Sequence, residues 1–118
     1  MLELAPRCRL VVLSAALPTL PDDFVPHDEV ATTRKAVAMT QRERTALTLA
    51  FNDRVAAACR DPGVPHFDAR RWSLGDNGIV RPGWVRADTA DHHYDRKTYA
   101  RWISRTLSPL LDDESAST

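Results

Sequence analysis

The stretch that most restricts the fold is an apolar run near the amino terminus, Cys8 to Ala15, with the sequence CRLVVLSA. Its centre, Leu10 to Leu13, is a continuous series of apolar side chains rather than an alternation of apolar and polar ones. A strand that is half exposed alternates, whereas a strand that is buried on both faces does not. The run therefore predicts a strand in a parallel sheet that helices cover.

A long helix is predicted to follow, after a loop rich in proline. Thr40 and Glu43 form the sequence pattern of a capping box, in which each side chain satisfies a free backbone N–H of the first turn. Apolar residues then recur at helical spacing and predict the buried face: Leu47, Phe51, Val55 and Ala58. The sequence Asp61-Pro62-Gly63 is expected to end the helix.

A short second strand is predicted directly after this helix, from Val64 to Asp68. A strand, a helix and a strand in this order form a βαβ unit, which has parallel strands and a right-handed crossover. In such sheets the functional sites lie at the carboxyl ends of the strands. The sequence therefore predicts the α/β class with a parallel sheet, and it places Ser14 and Asp68 at the same edge.

The remainder is predicted to be a loop region with apolar anchors and a final helix. Trp72 and Trp84 are interpreted as packing residues that tie the loop to the domain. The final helix is expected from about Arg96 to Leu107, with its buried face formed by Tyr99, Trp102, Ile103 and Thr106. Residues 1–111 then form one α/β domain, and residues 112–118 form a polar tail.

The composition argues against two classes of partner. Sixteen basic and sixteen acidic side chains cancel, so no basic surface for a nucleic acid is predicted. No apolar run approaches the length that spans a bilayer, and the amino terminus does not resemble a signal peptide, so a cytoplasmic protein is expected. Cys8 and Cys59 have no metal-type spacing and are predicted to be small buried hydrophobes. No cofactor is predicted.

Polar chemistry concentrates between Asp88 and Asp95, in the sequence DTADHHYD directly before the final helix. Asp95 is a good N-cap for that helix, and an N-cap needs no further role. Functional side chains are often found on loops that a rigid element holds in place. The candidate site therefore consists of the other two carboxylates and the two imidazoles of this stretch: Asp88, Asp91, His92 and His93.

In the order of these elements the chain resembles the C-terminal half of the SGNH (GDSL-type) esterases and acyltransferases. The resemblance rests on the strand ending in Leu17-Pro18, the helix with Phe51-Asn52, the strand ending in Asp68, and the Asp/His cluster. In that family an aromatic residue follows the histidine in the first turns of the final helix, as Tyr99 follows His93. The resemblance implies a partial three-layer α/β/α sandwich and a reaction on a carbohydrate or lipid ester.

The resemblance further implies that His93 is the general base and that Asp91 orients it. The family places its aspartate three residues before the histidine, whereas Asp91 lies two before His93. Asp88 therefore competes for the orienting role, and His92 competes for the role of base. The family's Gly-Asp-Ser and Gly-x-Asn-Asp blocks, which supply the nucleophile and the oxyanion hole, do not occur. Ser14 lacks a flanking glycine and is predicted to be structural, so this chain alone is expected to be inactive or incomplete.

Two other functions stay open at this point. The stretch from Asp88 to Asp95 contains ligand types that suit zinc or another divalent ion, although adjacent histidines rarely reach one centre. Alternatively, the chain is a non-catalytic interaction protein or subunit, because two strands do not make a covered sheet. In that case we expect the strand Leu10 to Leu13 and the helix face with Leu47 and Phe51 to meet a partner chain or a second copy.

Overall fold

The computed structural model describes residues 9–23, 39–87 and 93–116, with side chains as far as residue 111. The elements in chain order are β1 (Val12–Leu13), α1 (Gln41–Arg60), β2 (His66–Phe67), α2 (Arg70–Ser73), a 3-10 helix (Pro82–Trp84) and α3 (Arg96–Ala116). Cys59 is buried near the end of α1, which confirms that prediction, and Cys8 lies outside the described residues.

The two strands pair in parallel, which confirms the βαβ prediction. Val12 lies opposite His66 in the register. The Val12 N–H donates to the Pro65 carbonyl, and the Ser14 N–H donates to the Phe67 carbonyl, both at 2.9 Å. Leu10 is nevertheless 64% exposed, and both residues of β1 are only half-buried. The described residues thus cover this strand in part, and they form a mixed helix-and-strand fold around a two-stranded sheet.

Helix α1 begins with the predicted capping box. The Thr40 hydroxyl accepts a hydrogen bond from the Glu43 N–H at 3.1 Å, and the Glu43 carboxylate accepts one from the Thr40 N–H at 3.2 Å. The helix ends at Arg60, and Gly63 follows with a φ of 71°, a left-handed conformation that glycine adopts without strain. The Val64 N–H donates to the Cys59 carbonyl at 2.9 Å, so the chain reverses directly into β2.

The prediction of which α1 residues form the buried face is wrong. Leu47 and Phe51 are 58% and 57% exposed, and the face turned inward consists of Gln41, Thr45, Asn52 and Cys59. The physical reason is that this face makes hydrogen bonds to the segment after β1 instead of apolar contacts alone. The Gln41 side-chain amide, for example, donates to the Pro18 carbonyl at 3.0 Å. A count of apolar residues at helical spacing does not register such bonds.

The core lies where the segment after β1 meets the chain from α2 to α3, and it has an aromatic centre. Its buried members are Leu17, Ala69, Val80, Trp84, Tyr94 and Trp102. Trp84 meets Tyr94 edge-on with 5.1 Å between ring centroids, as favourable aromatic pairs do. Trp84 and Trp102 are each 6% exposed, which confirms their predicted packing roles. Trp72 is 49% exposed and therefore anchors its loop only in part.

Helix α3 is longer than predicted. It continues through Pro109 to Ala116, so its end lies beyond Leu107, and residues 112–116 of the predicted polar tail are helical. A proline inside a helix removes one backbone hydrogen bond, here the bond to the Arg105 carbonyl. Directly before the proline, the Ser108 hydroxyl donates to the Ser104 carbonyl at 2.6 Å.

Candidate functional site

The carboxyl ends of the two strands meet at one edge of the sheet, as the sequence predicts. The Ser14 hydroxyl, one residue beyond β1, accepts a hydrogen bond from the Ala69 N–H at 3.0 Å. Asp68 directly precedes Ala69 and follows β2. Ser14 and Asp68 therefore lie at the same edge, where a site of an α/β sheet is expected.

Asp68 is held by an arginine network. Its carboxylate accepts hydrogen bonds from the Arg70 N–H at 2.8 Å and from the Arg70 Nε at 2.9 Å. The same guanidinium donates to Asp53 of α1 at 2.7 Å, and the hydrogen bond to Asp68 is the main reason why the pKa of Arg70 is raised. Through Arg70, Asp68 thus links the end of β2 to α1, and its carboxylate oxygens are engaged in that structural role.

Asn52 of α1 fixes the segment that leaves β1. The Ala15 N–H donates to Asn52 Oδ1 at 2.8 Å, and Asn52 Nδ2 donates to the Ala15 carbonyl at 3.1 Å. The Asn52 side chain is 1% exposed. One amide therefore satisfies both backbone groups of a residue that has just left the sheet ladder.

Tyr94 connects the candidate cluster to this same segment. Its hydroxyl accepts a hydrogen bond from the Leu17 N–H at 2.6 Å, and both residues are buried. Ser73 lies beside the same oxygen and influences the pKa of Tyr94, although its buried hydroxyl has no hydrogen-bond partner among the described residues. The bond to Leu17, three residues beyond Ser14, brings the chain around Tyr94 to the carboxyl-end side of the sheet.

Of the four predicted site residues, the described part of the chain includes His93 alone. His93 directly precedes Tyr94 and is exposed. Asp88, Asp91 and His92 lie outside the described residues, so their competing roles stay predictions. Within 9–23, 39–87 and 93–111 no three side chains of His, Cys, Asp or Glu are grouped closely enough to hold a metal ion.

Asp95 is the N-cap of α3, which confirms the prediction for this residue. Its carboxylate accepts hydrogen bonds from the Thr98 N–H at 3.0 Å and from the Thr98 hydroxyl at 2.8 Å. The hydrogen bond from the Thr98 N–H is the main reason why the pKa of Asp95 is lowered. The Asp95 N–H donates to the Trp84 carbonyl at 2.8 Å. This capping residue fixes where the final helix begins, immediately after His93 and Tyr94.

Burial raises the pKa of the Tyr94 hydroxyl above its ordinary value of 10.0, and the hydrogen bond from Leu17 opposes that rise. The folded state therefore favours the neutral phenol. The contribution of this group to the free energy of unfolding is fully present below the unfolded-state pKa, and it is lost as pH rises through the folded-state pKa. We expect the protein to lose stability above about pH 10, with a smaller slope in Tyr94→Phe.

The measurement is a titration that follows the absorbance of the tyrosinate ion. The chain has two tyrosines, and one of them should ionise in a late phase that Tyr94→Phe removes. A late phase that persists in Tyr94→Phe would contradict the assignment. So would a wild-type titration with no phase above the ordinary range.

Similarity to known proteins does not identify the chain. Comparison with protein-family models, with curated proteins and with solved structures finds no match. The resemblance to the SGNH hydrolases therefore stays a prediction that rests on the residues quoted above. As for membranes, none of the helices in the described ranges combines the length and apolarity that a crossing requires.

Sequence reasoning missed the two residues that organise this edge. In the sequence, Asn52 stands out only as the neighbour of Phe51, and Tyr94 only as part of the polar stretch. A buried asparagine opposite a strand end and a tyrosine between a histidine and an N-cap have no distinctive spacing of their own. Both act through hydrogen bonds to backbone far away in sequence, to Ala15 and Leu17.

Proposed function

We propose that this chain is the C-terminal half of an ester hydrolase or acyltransferase of the SGNH type, a partial three-layer α/β/α sandwich. His93 is its general base and Asp91 orients the imidazole, with His92 and Asp88 as the competing pair. The substrate class is a carbohydrate or lipid ester. The observation that carries the proposal is the hydrogen bond between Tyr94 and Leu17, which holds the neighbour of His93 near the strand ends.

The chemistry follows from the position of the imidazole. A histidine whose pKa is near neutrality takes the proton from a nucleophilic hydroxyl and then passes it to the leaving alkoxide. An aspartate on the other ring nitrogen fixes the tautomer and stabilises the imidazolium. His93 is exposed, so it is accessible to a nucleophile that another polypeptide segment presents.

Ser14 and Ser73, the two serines nearest the core and the strand ends, are poorly placed to act as the nucleophile, which supports a nucleophile from elsewhere. Ser14 is half-buried, and its hydroxyl accepts the Ala69 N–H. Ser73 is fully buried in the core. Neither stands at the sharp, glycine-flanked turn that exposes a serine nucleophile. In this proposal a second segment also supplies the oxyanion hole.

The first test predicts a negative result. The purified chain should hydrolyse a short-chain nitrophenyl ester no faster than its His93→Ala variant, because a general base without a nucleophile and oxyanion hole contributes little. Ser14→Ala serves as the matched control at the strand end. Turnover that is abolished in both His93→Ala and Ser14→Ala would contradict the proposal, since the chain would then be a complete enzyme.

The positive test is co-expression with the polypeptide encoded next to this chain, or with the N-terminal half of an SGNH hydrolase. Turnover should appear only in the combined preparation and should fall by about a thousandfold or more in His93→Ala. The Asp91→Asn and Asp88→Asn variants then decide which carboxylate orients the base. Combined activity that His93→Ala leaves unchanged would exclude His93 as the base.

Exposed apolar residues favour a second candidate function, that of a subunit which pairs with another copy of this chain. Leu47 and Phe51 lie one helical turn apart on α1 and are both more than half exposed. Leu10, in the segment before β1, is exposed as well. Removing such side chains from water on both copies would stabilise a dimer.

The test is size-exclusion chromatography with light scattering. We expect a dimer in the wild type and a monomer in the Leu47→Lys/Phe51→Lys variant. Ala46→Lys/Ala57→Lys adds the same charge at exposed positions on another side of the same helix and should leave the dimer intact. A wild-type monomer, or equal dissociation by both pairs, would contradict this candidate.

A further inference from the structure

A groove beside α3 carries chemistry that the proposed function does not use. It has a volume of about 480 Å³, within the range of small-molecule sites. Its walls combine indole rings, guanidinium groups and two threonine side chains: Trp72, Trp84, Trp102, Arg101, Arg105, Thr98 and Thr106. Aromatic faces and positive charge therefore meet in one concave surface.

The aromatic walls are arranged as separate faces rather than as one closed stack. Trp72 and Trp102 have ring centroids 6.3 Å apart at an interplanar angle of 53°, and Trp84 and Trp102 are 6.5 Å apart at 62°. Trp84 and Trp102 are fixed in the core, whereas Trp72 is 49% exposed. Trp72 lies beside the buried Trp102 ring and is itself half exposed, so it offers a planar ligand a ring to stack on.

The charge of the groove is positive. Arg101 and Arg105 are exposed and lie one helical turn apart on α3, and neither forms an ion pair with a described carboxylate. Arg71 is not part of the groove wall, but its Cζ lies 5.8 Å from the centre of the Trp72 ring and adds positive charge nearby. The whole chain has a net charge of zero, so this positive cluster is a local feature. Guanidinium groups bind carboxylate and phosphate oxygens in paired hydrogen bonds.

We propose that this groove binds a small planar aromatic anion, a ring that bears a carboxylate or a phosphate. The ring packs against Trp72 and the buried indoles, and the anionic group is bound by Arg101 and Arg105. The size of the groove favours a small molecule over an extended peptide. This proposal does not depend on the ester-hydrolase proposal, because its residues lie on α3 and around Trp72 and its test measures binding.

The experiment is a calorimetric titration of the full chain with naphthoate and with its neutral analogue naphthalenemethanol. We expect naphthoate to bind at one site and the alcohol to bind at least about tenfold more weakly, because only the acid engages the arginines. The Arg101→Gln/Arg105→Gln variant should bind naphthoate about tenfold more weakly than the wild type, and its affinity for the alcohol should be unchanged. A matched control, Arg54→Gln/Arg60→Gln, removes the same charge from exposed positions of α1 and should leave both affinities unchanged.

Trp72→Ala separates stacking from charge. Its side chain is half exposed, so the variant should fold, and circular dichroism checks that it does. We expect Trp72→Ala to lower the affinity for both ligands to a similar extent. Three results would each overturn the proposal. The first is equal affinity for the acid and the alcohol, and the second is an equal loss of naphthoate affinity in the two double arginine variants. The third is no binding of naphthoate at millimolar concentration.

Discussion

Asn52→Ala is expected to lower the free energy of unfolding by about 2 to 4 kcal/mol, because it leaves two backbone groups of Ala15 without their partner. The Asn52 side chain is 1% exposed and binds both the N–H and the carbonyl of Ala15. The loss should appear as a lower midpoint in urea unfolding followed by circular dichroism. Arg54→Ala, on an exposed position of the same helix, should change stability by about 0.5 kcal/mol or less.

Asn52→Asp tests the geometry of this contact with almost no change in volume. One oxygen still accepts the Ala15 N–H, but the other oxygen now faces the Ala15 carbonyl. We expect a loss at least as large as that of the alanine variant near neutral pH, and a smaller loss in acid, where a protonated carboxyl can donate. An Asn52→Ala variant as stable as wild type would show that α1 does not hold the end of β1.

Tyr94→Phe is expected to lower the free energy of unfolding by about 1 to 3 kcal/mol, the cost of leaving a buried N–H without an acceptor. Phenylalanine keeps the aromatic packing against Trp84, so the change isolates the hydroxyl that accepts the Leu17 N–H. Tyr99→Phe is the matched control, because Tyr99 packs on Trp102 through its ring. It should have an effect of about 0.5 kcal/mol or less. Equal effects of the two substitutions would contradict the anchoring role of Tyr94.

Local sequence signals predict the elements that depend on neighbouring residues. The parallel pairing of β1 and β2 follows from an apolar strand, a capped helix and a second strand in close succession. The capping box at Thr40 and the N-cap at Asp95 are likewise confirmed, since each depends on residues three positions apart. These elements depend on interactions between residues that are close in sequence, so the sequence pattern predicts them.

Contacts between distant residues are where sequence reasoning fails. The α1 face with Leu47 and Phe51 is exposed because a different face, with Gln41 and Asn52, turns inward and is hydrogen-bonded to backbone near β1. The same limit applies to Tyr94, whose partner Leu17 is 77 residues away in sequence. Periodicity measures where apolar side chains recur along a helix, and it carries no information about a distant carbonyl or N–H.

The predictions for the candidate site likewise divide into one that follows from the topology and others that do not. The position of Ser14 and Asp68 at one edge follows from the topology of parallel strands and is confirmed. The roles of His93 and Asp91 depend on a resemblance and on geometry at the end of a loop. They stay predictions that the esterase and co-expression experiments test.

The most direct test of the central claim, that the His93–Tyr94 segment lies at the carboxyl ends of the parallel strands, is a nuclear Overhauser measurement on labelled protein. Cross-peaks between the Tyr94 ring protons and the amide proton of Leu17 are the predicted result, and they should disappear in a Tyr94→Leu variant. Tyr94 cross-peaks to other parts of the chain, with none to Leu17 or its neighbours, would contradict the account by separating His93 from the strand ends.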